Sequence, residues 1–318
     1  MTRRTLVASA VAASALAQER RRPVEWKPRL GILAPFTEAN VRFAHEEGFT
    51  NMILGAGWRS TLDPTTLTDQ QIENIQRILS SQGIQVSAFQ AGHNHIAPDL
   101  QQRKEGADFF VKLIELAGKL GVPYIGTATG KDPAKPFAQQ VDEVVRVYTE
   151  LYFPACQQHN VKLLWEPYQG GANLAITPFA FEALFKAFGD SPHIGLQYDP
   201  SHLVWQMMDP IQTARDFAGK IYDVHLKDTE IRWDVLRRVG INPVDDTRWW
   251  LYRLPGLGSI DWAAFFSVLQ RAGYQGAMSV EHEDPYYASP NRPGPDFTPE
   301  YAMGFKMAHR YLRQYVPD

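Results

Sequence analysis

Short apolar runs alternate with helix-patterned segments eight times between Leu30 and the C-terminus, and this alternation most constrains the fold. The strand-like runs are Leu30–Pro35, Asn51–Gly55, Ile84–Gln90, Pro123–Thr127, Val161–Glu166, His193–Asp199, Ile221–Lys227 and Ala277–Glu281. Apolar residues recur at helical spacing over Thr37–Glu47, Thr68–Gln82, Leu100–Leu120, Gln139–His159, Pro178–Phe188, Asp261–Ala272 and Pro299–Tyr315. A further helix is expected after Asp209, its cap, with Pro210 in the first turn. Consecutive parallel strands need right-handed helical crossovers, and eight such units predict a closed (β/α)8 TIM barrel, one α/β domain over residues 29–318. An open doubly wound sheet is disfavoured, because LGILAPFTEA lacks the glycine-rich phosphate turn usual after its first strand. The rhythm breaks once, from Asp228 to Gly258, in an insertion after the seventh strand that carries Trp233, Trp249, Trp250 and Tyr252. Long loops at this position are usually functional, so it reads as a lid or pocket wall, against a self-packed excursion or an oligomer contact.

The N-terminus reads as a targeting segment. Arg3-Arg4, an Ala-rich apolar run and Ala15-Leu16-Ala17 give residues 1–17 the pattern of a twin-arginine signal peptide. Residues 18–28 then form a charged linker. The expectation is export to the periplasm, or a cytoplasmic protein if the segment is no signal. No later stretch has the ~20 apolar residues of a membrane span. A net charge of −3 gives no footprint for nucleic acid or anionic membrane. The single cysteine, Cys156, excludes an intramolecular disulfide and reads as a buried small hydrophobe. A homo-oligomer is left open.

Four strand ends carry the chemistry. Glu166 ends VKLLWE, Asp199 ends IGLQYD, His225 lies in KIYDVHLKD and Glu281 in SVEHED. The C-terminal ends of parallel barrel strands are where active sites are assembled from several strands at once. Each residue alone is a weak signal, but carboxylates gathered there without a cation would repel and raise one another's pKa values. Three carboxylates and one imidazole suit a single divalent ion such as Mn²⁺, Mg²⁺ or Zn²⁺.

From about Leu30 onward, LLWEP, YDPSH, DVHLKD, RLPGLGSIDW and SVEHED resemble the sugar isomerase/epimerase superfamily of xylose-isomerase-like barrels. The resemblance implies that Glu166, Asp199, His225 and Glu281 ligate one divalent metal ion, often Mn²⁺, with Co²⁺ among the alternatives. The intervals of 33 and 26 residues between the first three are similar to those of the ketose 3-epimerase branch, and the insertion accounts for the longer last interval of 56. The resemblance further implies substrate binding by His202 and Arg253, and catalysis by Glu166 and Glu281 as a proton-transferring pair. Lys227, His93 and His95 are added as candidates to touch substrate, and Glu283 as a neighbour of Glu281. The implied activity is isomerisation or epimerisation of a sugar or keto-sugar, by loss of a proton next to a carbonyl and a metal-stabilised enediolate.

Other readings compete. A lyase that cleaves 3-keto sugar glycosides by elimination would use the same site. A non-catalytic sugar-binding subunit would not need a full ligand set. DPSH and HLKD are also similar to motifs of abasic-site endonucleases, which hold three zinc ions. That branch needs more histidines, and none occurs in GTATG or between His225 and His282.

Overall fold

The computed structural model describes residues 26–189, 191–287 and 294–316. Residues 1–17, read above as a signal peptide, and the linker up to residue 25 lie outside these. The linker's last residues are not free-standing: Trp26 is buried, packs edge-on against Phe266 and donates its indole N–H to the Tyr315 carbonyl at 2.9 Å.

Eight parallel strands close into a barrel: β1 (Arg29–Pro35), β2 (Asn51–Gly55), β3 (Gln85–Gln90), β4 (Tyr124–Thr127), β5 (Lys162–Trp165), β6 (Ile194–Tyr198), β7 (Ile221–Leu226) and β10 (Ala277–Val280). They pair in chain order, and β10 closes the ring between β7 and β1. The expected single-domain (β/α)8 architecture is therefore observed. The reason lies in the sequence: β6 is buried at every residue, as a strand covered on both faces must be. Thr37, Thr68, Asp99, Thr177, Asp209, Asp261 and Thr298 each cap the helix that follows, their side chains accepting from first-turn N–H groups.

One expected helix is not uniform. The segment read as Gln139–His159 is α-helical over Phe137–Val147, widens into a π turn at Tyr148–Tyr152 and resumes over Phe153–His159. Pro154 has no N–H to give the carbonyl four residues back, and the wider turn absorbs that loss. Cys156 in this helix is fully buried, and burial pushes its thiol up to about 12.

A polar layer fills the barrel interior. Asn51 Nδ2 donates to Ser87 Oγ (2.9 Å) and Ser279 Oγ (3.1 Å), and Gln197 Nε2 donates to Asp223 Oδ2 at 3.1 Å. Gln197, Asp223 and Ser279 stand two residues before Asp199, His225 and Glu281, so the two-residue strand period stacks this layer beneath the strand-end groups. Burial raises the Asp223 carboxyl to about 6.

The insertion contains an antiparallel hairpin, β8 (Asp228–Ile231) with β9 (Trp250–Arg253), and a helix at Trp233–Val239. Fully buried Asp228 holds its two roots together. Its Oδ1 accepts from the N–H groups of Thr229 (2.8 Å) and Ile260 (3.1 Å), and its Oδ2 from Gly256 N–H (3.0 Å) and the Trp262 indole (2.8 Å). A side chain at Gly258 would put a carbon 2.2 Å from Asp228 Oδ1, so the close approach requires glycine. Among the described residues, no helix is long and apolar enough to cross a membrane.

Replacing Asp228 by alanine strands three buried donors, those of Thr229, Ile260 and Trp262, each costing about 1–3 kcal/mol when unpaired. Asp228→Ala should therefore lose at least about 3 kcal/mol in urea unfolding. An unchanged midpoint would show that other contacts hold the insertion.

Candidate metal centre

Glu166, Asp199 and Glu281 directly follow β5, β6 and β10, and His225 is the penultimate residue of β7. Parallel register keeps these ends level, with Trp165 beside Leu196 and Val280 beside Leu226. One donor atom from each of the four lies within 4.8 Å of every other. His225 Nδ1 is 3.1 Å from Glu166 Oε1, 2.9 Å from Glu281 Oε2 and 4.0 Å from Asp199 Oδ2.

Charge at this centre does not balance. Lys227 is buried and its Nζ lies 2.7 Å from Glu281 Oε2, 2.8 Å from Glu283 Oε2 and 3.1 Å from Asp199 Oδ2. Burial alone would strip its charge, yet Asp199, Glu281 and Glu283 hold its pKa well above the ordinary value. Burial likewise opposes charge on His225, and the Glu281 and Glu166 carboxylates outweigh it, raising the imidazole well above its usual range. Glu281 is pushed up by burial but held well below its ordinary value by Lys227 and His225. For Glu166, burial and the Glu281 charge push up, while His225 and His202 prevail and bring it to about 2.

Even with both bases protonated, four carboxylates face two cations. Asp199 Oδ2 is buried and accepts no hydrogen bond, having ion-pair contacts to Lys227, His202 and, at 4.0 Å, His225. A divalent cation would supply the missing charge, and three carboxylate oxygens with one imidazole nitrogen at this spacing fit one such ion.

The centre opens into a cavity of about 310 Å³ lined also by Gln90, Tyr168, His202, Tyr252 and Glu283. His202, on the short helix Ser201–Trp205, sets Nε2 at 3.3 Å from Asp199 Oδ2 and 3.4 Å from Glu166 Oε1, while Nδ1 meets Tyr252 OH at 2.7 Å. His202 and Lys227 thus join the site as expected from the sequence.

Three candidates do not reach this cavity. His95 is buried, with Nδ1 on Tyr152 OH (2.9 Å) and Nε2 on Thr127 Oγ1 (3.0 Å); burial holds its pKa well below the usual value, and it serves the packing. His93 packs beside it, near Trp58 and Phe110 and above Gly106, where any side chain would collide with the imidazole. Both rings fold back onto the helix Leu100–Leu120 instead of forward over the barrel mouth. Arg253 pairs with Glu230 and with Asp284 Oδ2 (2.9 Å), and covers the Tyr286 ring. Side chains alternate along β9, so Tyr252 faces the cavity and Arg253 the opposite side.

Sequence reasoning missed Gln90, Tyr168 and Tyr252 as site residues. Gln90 Nε2 donates to Glu166 Oε2 at 2.6 Å and fixes that carboxylate. Its signal was available, since Gln90 is the polar end of a strand like the other four. Tyr252 was visible only as one of several aromatic residues in the insertion.

Glu281→Gln removes one anionic donor. Wild-type protein should retain about one ion per chain, and added Mn²⁺ should stabilise it by about 2.7 kcal/mol at a hundredfold excess over Kd. The variant should show sub-stoichiometric metal by elemental analysis and a melting temperature that added Mn²⁺ does not move. Full metal content in the variant would remove Glu281 from the donor set.

Comparison with known proteins agrees with this geometry. Residues 41–303 match the family model described as xylose isomerase-like TIM barrel. An uncharacterised Bacillus subtilis protein, YfiH, is 28% identical over 285 residues, covering 79% of this chain and 89% of that one. Inosose dehydratase from Clostridium beijerinckii is 34% identical over a local stretch of 129 residues, 39% of each chain. The structure of an L-ribulose 3-epimerase superposes with a TM-score of 0.68 at 20% identity, over 91% of this chain and 94% of that one. With its closed eight-stranded barrel and a match that runs through most of it, the chain belongs to the xylose isomerase-like TIM barrel family.

Proposed function

We propose that the protein is a divalent-metal-dependent isomerase or epimerase that moves a proton next to the carbonyl of a sugar or keto-sugar. One observation carries this reading: two ionised glutamates, Glu166 and Glu281, contact the same His225 nitrogen and line the same cavity. Proton transfer between two positions of a substrate needs one group to take the proton and another to return it. A divalent ion held by Glu166, Asp199, His225 and Glu281, Mn²⁺ by preference, supplies positive charge for the anion formed when such a proton leaves.

The chain's own residues do the rest. Gln90 fixes the outer oxygen of Glu166, so that carboxylate keeps one orientation toward the cavity. Lys227 keeps an ammonium against Glu281 and Glu283, adding fixed positive charge at the cavity wall. His202, held by Tyr252, offers Nε2 to a substrate hydroxyl.

A second reading, elimination, is supported by the same Lys227: an ammonium facing the cavity can protonate a leaving oxygen. The local similarity to inosose dehydratase supports it too.

The deciding experiment incubates Mn²⁺-loaded protein with fructose, tagatose and 3-keto-glucosides in D₂O and follows the α-proton by NMR. Exchange with conserved carbon skeleton supports isomerisation or epimerisation, whereas exchange with loss of water or of an alcohol supports elimination. Glu166→Gln and Glu281→Gln should each lower exchange by at least about 100-fold. Full exchange in both variants would refute the assigned pair.

A further inference from the structure

The larger cavity beside this site is not the metal cavity. About 490 Å³ is enclosed between the insertion and the helix Ser201–Trp205, against about 310 Å³ around the metal centre. The same three chain segments build both. Tyr168, His202 and Tyr252 line the metal cavity, while Gln169, Trp205 and Trp250, one to three residues away, line the other. Two hydrogen bonds link the side chains between them: Trp205 Nε1 donates to Tyr252 OH at 3.3 Å, and Tyr252 OH meets His202 Nδ1 at 2.7 Å. Small-molecule pockets span about 300–1,000 Å³, so the metal cavity alone is at the lower limit and suits a single small ring.

We infer that the second cavity is a subsite for a second sugar ring, joined by a glycosidic bond to the ring that reacts at the metal centre. The inference rests on the reading of the metal centre as a sugar site and extends it: the substrate is disaccharide-like, not a free monosaccharide. The lining has the required chemistry. Trp205 and Trp250 stack nearly parallel, 4.7 Å apart, with the Arg248 guanidinium 4.7 Å from the Trp250 ring centre. Gln169, Gln206 and Asp246 add amide and carboxylate groups that bond hydroxyls. Gln169 and Asp246 are exposed and Gln206 Nε2 donates to the His202 carbonyl at 2.8 Å, so these groups set hydrogen-bonding atoms at the cavity rim, where a polyhydroxylated ring can meet them. Trp205 and Trp250 hold each other in place by stacking, which lowers the entropy cost of fixing them on binding.

The test is an indole-fluorescence titration of Mn²⁺-loaded protein with glucose, maltose and cellobiose. At least one disaccharide should bind about 10-fold more tightly than glucose and change the emission, a factor worth about 1.4 kcal/mol. Trp250→Phe and Asp246→Ala should erase that preference while leaving glucose affinity unchanged; Asp246 is exposed, so its variant does not depend on repacking. The inference is overturned if no disaccharide outbinds glucose, if both variants keep the preference, or if they weaken glucose equally. Ketose proton exchange on the same preparations separates the two readings. Exchange without a disaccharide preference removes the subsite alone, and a preference without exchange removes the proposed reaction alone.

Discussion

An excess of buried negative charge at the barrel mouth governs the structure. Buried Glu166, Asp199 and Glu281, with the more exposed Glu283, converge where the strands end, answered by His225 and Lys227 and by His202 beside Asp199 and Glu166. Carboxylates this close raise one another's pKa values unless cations intervene. His225 and Lys227 keep their charge here against the cost of burial, which shows how strongly the acids act on them. Other features accommodate the same charge. Gln90 gives Glu166 a donor, and the neutral amides of Gln197 and Asn51 and the hydroxyl of Ser279 separate the mouth from the deeper barrel.

The fold was legible because its signals are periodic. Strand ends could be read to within a residue or two, and Asp209 as a cap announced where its helix begins. The four converging donors were legible for a related reason: a polar residue ending an apolar run has few places to point. What failed was side-chain direction beyond the strands. His93 and His95 follow β3 in a loop and pack against Phe110 of a distant helix, and no local pattern encodes that packing. Arg253 and Tyr252 are adjacent in a short strand, and a one-residue difference in register decides which of them meets the cavity. The sequence also hides the π turn, since Pro154 is compatible with a helix start as well as with an interruption.

Asp228 also separates two kinds of change. The insertion leaves and rejoins the barrel at this one carboxylate, three residues beyond His225, and Gly256, Ile260 and Trp262 return to it. Whatever lies between Ile231 and Arg253 is therefore anchored without help from its own sequence. The excursion can lengthen, shorten or exchange its aromatic residues while the donors at the strand ends stay where they are. In such an arrangement the metal donors are fixed by the strands, while the excursion's residues other than Tyr252, which holds His202 in the metal cavity, are free to vary and to change which molecule is chosen.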